Sequence, residues 1–125
     1  MSLDVYLSGQ IEVVPCRCAE CGQEHTREKA VEFFRANITH NLGIMAKEAG
    51  IYGQVWRPEE LGITKARELI EPLRAGLARM QAAPGIFKKL DPKNGWGSYD
   101  EFVTWIEAYL KACEEHPDAN VIVSR

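Results

Sequence analysis

This chain lacks the surplus of Lys and Arg that non-specific nucleic-acid binding requires. It carries 15 of them against 18 Asp and Glu, a formal net charge of −3, so a dense phosphate-neutralising surface is not expected. It also lacks an apolar run long enough to cross a bilayer, and Met1 to Leu7 has neither the basic start nor the long apolar core of a secretory signal. A cytoplasmic protein with no membrane partner is the expectation. The usual local signatures of catalysis are missing as well. There is no Gly-rich phosphate loop, no Gly-x-Ser-x-Gly elbow, no His-Glu-x-x-His helix and no His-x-Glu element of a zinc deaminase.

Cysteine is scarce, and its placement carries the strongest chemical signal. Three of the four cysteines fall in Cys16-Arg-Cys18-Ala-Glu-Cys21-Gly-Gln-Glu-His25. In a reducing compartment clustered thiols are more often metal ligands than bridges. Cys18, Cys21 and Gly22 fit a tight knuckle, Cys16 lies two residues earlier on an extended entry, and His25 returns from the following segment. Cys16, Cys18, Cys21 and His25 therefore make a complete tetrahedral zinc set. Four protein ligands leave no open position for water, which points to a structural staple. A second arrangement stays open, in which Cys113 and His116, three apart on the last helix, supply the distal pair.

At 125 residues the chain is expected to be a single domain able to bury a core without covalent help. Leu3 to Leu7 and Ile11 to Val14 read as short strands joined at Ser8-Gly9-Gln10, and Val121 to Val123 as a third. Between them the pattern is helical. Arg27 to Ala36 places Ala30, Val31, Phe33 and Phe34 on one side, and Leu42, Met45, Ala46 and Ala49 repeat at helical spacing before Gly50. Thr64 is a candidate cap for a segment carrying Leu69, Leu73, Leu77 and Met80, with a kink or break expected at Pro72. Ser98 and Glu101 form a capping box for a last helix bearing Phe102, Ile106, Tyr109, Leu110 and Cys113. The expected fold is α+β and mainly helical. A knuckle hairpin spans about 10–26, a helical body about 27–116, and the termini contribute the small β element.

Two polar constellations remain. Asn37-Ile-Thr39-His40-Asn41 packs hydrogen-bonding side chains around a helix start, where a single cap uses only one of them. Asn94-Gly-Trp96-Gly-Ser-Tyr99 places an indole between two glycines, suited to plugging the core or to stacking on a planar ligand. Trp56 sits on a candidate loop with Arg57 beside it as a contact for an anion. Asn37, Thr39, His40, Asn41, Trp56, Arg57, Trp96 and Tyr99 are thus the candidate ligand-binding residues. Cysteine-based catalysis would need one clustered thiol with His40 or His116 as base, and the clustering favours metal binding instead. Glu59-Glu60, Glu114-Glu115 and Lys88-Lys89 read as solvated surface.

The strings Asn37-Ile-Thr-His-Asn-Leu42, Ala49-Gly-Ile-Tyr52, Trp56-Arg-Pro-Glu-Glu60 and Asn94-Gly-Trp-Gly97 resemble a group of small hypothetical proteins from phage and bacterial genomes. The resemblance covers nearly everything after the knuckle. It implies a phage or prophage origin and a shared fold, transfers no catalytic residue, and makes the zinc hairpin an accessory to the Asn-Thr-His-Asn and Asn-Gly-Trp-Gly segments. The expected function is non-enzymatic binding or sequestration of a nucleotide-like small molecule. Two alternatives stand beside it: an adaptor that docks a protein partner through the knuckle or a helical face, and an enzyme with dispersed active-site residues. The sequence leaves oligomeric state open.

Overall fold

The computed structural model describes the backbone of residues 2–17 and 24–125, and the side chains of 2–9 and 31–125. Strand β1 (Ser2–Arg17) pairs antiparallel with β2 (Glu24–Thr39) on one side and with β3 (Asn120–Ser124) on the other, giving the order β2-β1-β3. Helices α1 (Gly43–Glu48), α2 (Tyr52–Trp56), α3 (Arg67–Ala82), α4 (Pro84–Lys88) and α5 (Tyr99–Glu115) lie between β2 and β3 in the chain. The α+β class is as expected, with the sheet drawn from both ends of the sequence.

Alternation along β1 decides which face is covered. Leu3, Val5 and Leu7 are wholly buried, and the register sets them opposite Ile38, Ala36 and Phe34 of β2. Val123 and Val121 of β3 continue the same rows. The intervening Asp4, Tyr6 and their partners Asn37 and Arg35 form the outer face, where the Arg35 guanidinium lies 5.2 Å from the Tyr6 ring centroid. The inner face packs on Leu42, Met45, Leu69, Leu73, Phe102, Ile106 and Tyr109 from the helices, so the molecule has two layers.

Four expectations are corrected. Arg27 to Ala36 is strand, part of β2, and Ser8-Gly9-Gln10 is an irregularity inside a single long β1. The register shifts at Leu7/Ser8 and between Ser8 and Ile11, leaving Phe33 as an extra residue on β2. Such a bulge breaks the period of two, so Ala30, Val31, Phe33 and Phe34 acquire a spacing that imitates a helix. Gly9 serves the bulge by its lack of a side chain: a Cβ there would lie 2.7 Å from the Phe33 ring. Helix α3 continues through Pro72, so of the two outcomes expected there the break does not occur. Its start is held by the Glu68 carboxylate, which accepts from the backbone N–H groups of Thr64 (2.7 Å) and Lys65 (3.0 Å), rather than by a Thr64 side-chain cap. These bonds keep the Glu68 carboxyl below its ordinary range.

The last helix meets its expectation closely. The Ser98 hydroxyl accepts from Glu101 N–H at 3.2 Å, and Phe102, Ile106, Tyr109, Leu110 and Cys113 are all buried. Helices α3 and α5 pack against each other. On α3, Gly76 makes the close approach to the α1–α2 connection, where an added Cβ would collide with Ile51 Cγ2 and reach the Ala49 carbonyl at 3.5 Å. We expect Gly76→Ala to lower stability by about 1–3 kcal/mol, because overpacking against a buried β-branched side chain outweighs a helix-propensity gain of at most about 1 kcal/mol. Urea denaturation of Gly76→Ala in the parent and in an Ile51→Ala background checks this. The substitution should become neutral or stabilising once Cγ2 is gone.

Candidate functional site

Two segments remote in sequence are brought together by one close approach. Thr39 ends β2 and caps the following 3-10 turn, its hydroxyl accepting from Asn41 N–H at 3.3 Å. On the other side, the loop before α5 is folded back on itself. Asp91 Oδ1 accepts from Tyr99 N–H (2.7 Å), Asn94 Oδ1 accepts from Trp96 N–H (3.0 Å), and Gly95 and Gly97 both take positive φ, at 77° and 96°. A Cβ on Gly97 would lie 2.8 Å from Thr39 Cγ2 and 3.0 Å from Leu42 Cγ, so only glycine allows the loop to rest against the turn. Between them lies an open cleft of about 490 Å³ lined by Ser2, Asn37, Thr39, Asn41, Asn94 and Trp96.

Four of the eight expected ligand-binding residues therefore meet: Asn37, Thr39, Asn41 and Trp96. Asn37 is held by two bonds from its Nδ2, to Ser2 Oγ (2.9 Å) and to Asp4 Oδ1 (2.7 Å). Trp96 is 69 % exposed, so it does not plug the core. Its indole forms a wall of the cleft.

The other four stand elsewhere. Trp56 ends α2 rather than lying on a loop, is buried, and stacks on Tyr52 at 5.4 Å between centroids. Its Nε1–H donates to His40 Nδ1 at 2.8 Å, which leaves the imidazole proton on Nε2. His40 is thus the polar partner of a core tryptophan. Arg57 pairs with Glu60 at 3.6 Å in an exposed position, and the Tyr52 hydroxyl and Glu60 carboxylate raise its pKa further above the ordinary value. Tyr99 is buried, donates to the Met80 carbonyl at 2.8 Å, and has its phenol pushed up by desolvation.

Two cleft residues were missed as site members by the sequence reading. Asn94 was visible in the Asn-Gly-Trp-Gly string. Ser2 becomes a neighbour only through the pairing Ser2↔Thr39, which requires knowing that β2 is a strand.

For the zinc set, the β1–β2 register places Cys16 directly opposite His25 and Arg17 opposite Glu24. Cys18 and Cys21, and the side chains of Cys16 and His25, lie outside the described residues. Among the described residues there is no group of three or more His, Cys, Asp and Glu poised to hold a metal. Cys113, from the alternative distal pair, is fully buried, and desolvation pushes its thiol up to about 12. His116 closes α5 and stacks flat on Phe33, with centroids 4.3 Å apart.

Two outcomes follow from this geometry. Replacing His40 by Ala strands the buried Trp56 N–H without an acceptor, which should cost about 1–3 kcal/mol in urea melts. Removing both partners, as His40→Ala with Trp56→Phe, should cost less than the sum of the single variants in a double-mutant cycle. Iodoacetamide labelling of the native protein at pH 8, mapped by peptide mass spectrometry, should leave Cys113 unmodified until denaturant is added.

Comparison with protein family models, with characterised proteins and with solved structures finds no match to this chain.

Proposed function

We propose that this is a non-enzymatic binding protein of phage or prophage type that holds a nucleotide-like small molecule in the cleft between the Thr39–Leu42 turn and the Asn94–Gly97 loop. The observation that carries the reading is the convergence of Asn37, Thr39 and Asn41 with Asn94 and an exposed Trp96 on one cleft of about 490 Å³. Its volume lies in the ordinary range for small-molecule sites, and amides, hydroxyls and one indole supply orientation and stacking. Arg57 no longer belongs to the set, because its side chain is committed to Glu60 away from the cleft. No triad or acid–base pair lines the cleft, so binding is the role these side chains fit.

The same proposal places a structural zinc at the closed end of the hairpin. Support comes from the ligand spacing in the sequence together with the register that makes Cys16 and His25 an opposed cross-strand pair, which are near neighbours in an antiparallel ladder. Zinc there would crosslink the two strands and hold the Cys18–Cys21 turn shut.

Native mass spectrometry of the untreated protein should show one zinc per chain, released on denaturation and lost in Cys18→Ser. A metal-free folded protein would remove zinc from the proposal. In a thermal-shift panel of common nucleotides, at least one should raise Tm, and Trp96→Ala should abolish that shift while leaving the ligand-free Tm nearly unchanged. Failure of every nucleotide to stabilise the parent would overturn the small-molecule reading.

A further inference from the structure

The cleft is uncharged. Ser2, Asn37, Thr39, Asn41, Asn94 and Trp96 all carry neutral side chains, and Lys93, although next to Asn94 in sequence, does not line it. The formal charge bonded to the wall is negative: Asp4, whose Oδ1 lies 2.7 Å from Asn37 Nδ2. Among the described residues that line the cleft, a phosphate entering here meets no cation, and it faces a carboxylate behind the Asn37 amide. Anion sites in proteins are built in the opposite way, from guanidinium, ammonium or clustered backbone N–H groups.

Two of the wall amides also have a fixed polarity. A carboxylate oxygen only accepts, so the bond to Asp4 makes the Asn37 group facing it the NH2, and its carbonyl oxygen remains as an acceptor. A backbone N–H only donates, so the bond from Trp96 N–H identifies the bonded Asn94 atom as Oδ1 and leaves its NH2 as a donor. Among the described residues neither of those remaining groups has a partner. The site therefore offers a held acceptor, a held donor and a π face, with Asn41 exposed and able to supply either sense. Adjacent donor and acceptor atoms on the rim of a flat ring are the edge pattern of a nucleobase.

We propose that the cleft recognises the uncharged part of a nucleotide, its base and ribose, and makes no use of the phosphates; this rests on the reading of the cleft as a nucleotide site. The base lies against Trp96, with its hydrogen-bonding edge shared between the Asn37 carbonyl and the Asn94 amino group. Phosphates, where present, extend toward solvent. A free nucleoside is accordingly as good a ligand as its triphosphate.

The test is a calorimetric titration of the full chain with adenosine, guanosine, cytidine and uridine and with their 5′-monophosphates and 5′-triphosphates, repeated at low and high salt. For the preferred base, the three forms should bind with dissociation constants within about threefold of one another, a spread smaller than a single charge-assisted hydrogen bond produces. Their affinity should change little with salt, since no cation is neutralised. Asn94→Asp keeps the oxygen that accepts Trp96 N–H and removes the donor, so it should weaken nucleoside binding by about tenfold or more with an unchanged circular dichroism spectrum. A triphosphate that binds more than about tenfold tighter than the nucleoside, with affinity falling as salt rises, would overturn this inference and leave the nucleotide site standing. Unchanged nucleoside binding by folded Asn94→Asp would overturn the donor assignment and the inference with it. If no nucleoside or nucleotide binds, the reading of the cleft itself fails.

Discussion

Strand β1 is the constraint on which the rest of the molecule is hung. Leu3, Val5 and Leu7 have no exposure at all; each is paired with β2, and Val5 and Leu7 are also paired with β3. A slip of one residue would send all three to solvent and drive Asp4 and Tyr6 into the core, so the register is strongly determined. That register also sets the outer face. It puts Asn37 beside Asp4 and within reach of Ser2, and it delivers Thr39 at the point where β2 ends. The polar wall of the cleft is a by-product of how the apolar face is buried.

The opposite wall is positioned by absence of bulk. Gly97 touches Thr39 and Leu42 where any Cβ would be too close, and its φ of 96° is one that other residues strongly resist. The same loop is tied from Asp91 to the first residue of α5, whose phenol in turn reaches the Met80 carbonyl on α3. Trp96 is consequently an exposed side chain on a restrained backbone. A stacking wall of that kind loses little conformational freedom on meeting a ligand, which is what makes preorganised aromatic surfaces effective.

Much of the helical layer was legible in the sequence because its signals are local. The Ser98 cap, the Gly50 stop and the buried positions of α5 need only a few neighbouring residues to be read. Strand β2 was not legible, because the Phe33 bulge shifts the alternation and the resulting spacing of Val31, Phe33 and Phe34 passes for a helical stripe. For the site, the density of hydrogen-bonding groups in Asn37 to Asn41 and the paired glycines around Trp96 marked the two segments that meet at the cleft. Which members face the cleft depended on tertiary partners. His40 and Trp56 satisfy each other, and Tyr99 finds a buried carbonyl, neither of which leaves a local trace.

The hairpin keeps the proposed cysteine staple and the proposed ligand cleft apart along one chain. Strand β3 pairs with β1 only from Asp4 to Ser8, so from Ile11↔Ala30 to Arg17↔Glu24 the hairpin continues with no third strand among the described residues. A two-stranded ribbon standing alone is marginal in water. Cys16 and His25 are paired toward just that end, where a crosslink between strands has the most to stabilise. Ser2 at the cleft and Cys16 near the far end are separated along β1 by a distance on the order of 40 Å, from the rise of an extended strand. No side chain spans that gap, and a zinc held by Cys16 and His25 has no direct means of supplying a ligand or a charge to the cleft. The proposed metal acts on the ribbon, the proposed ligand on the turn and loop, and β1 is the continuous element that joins them.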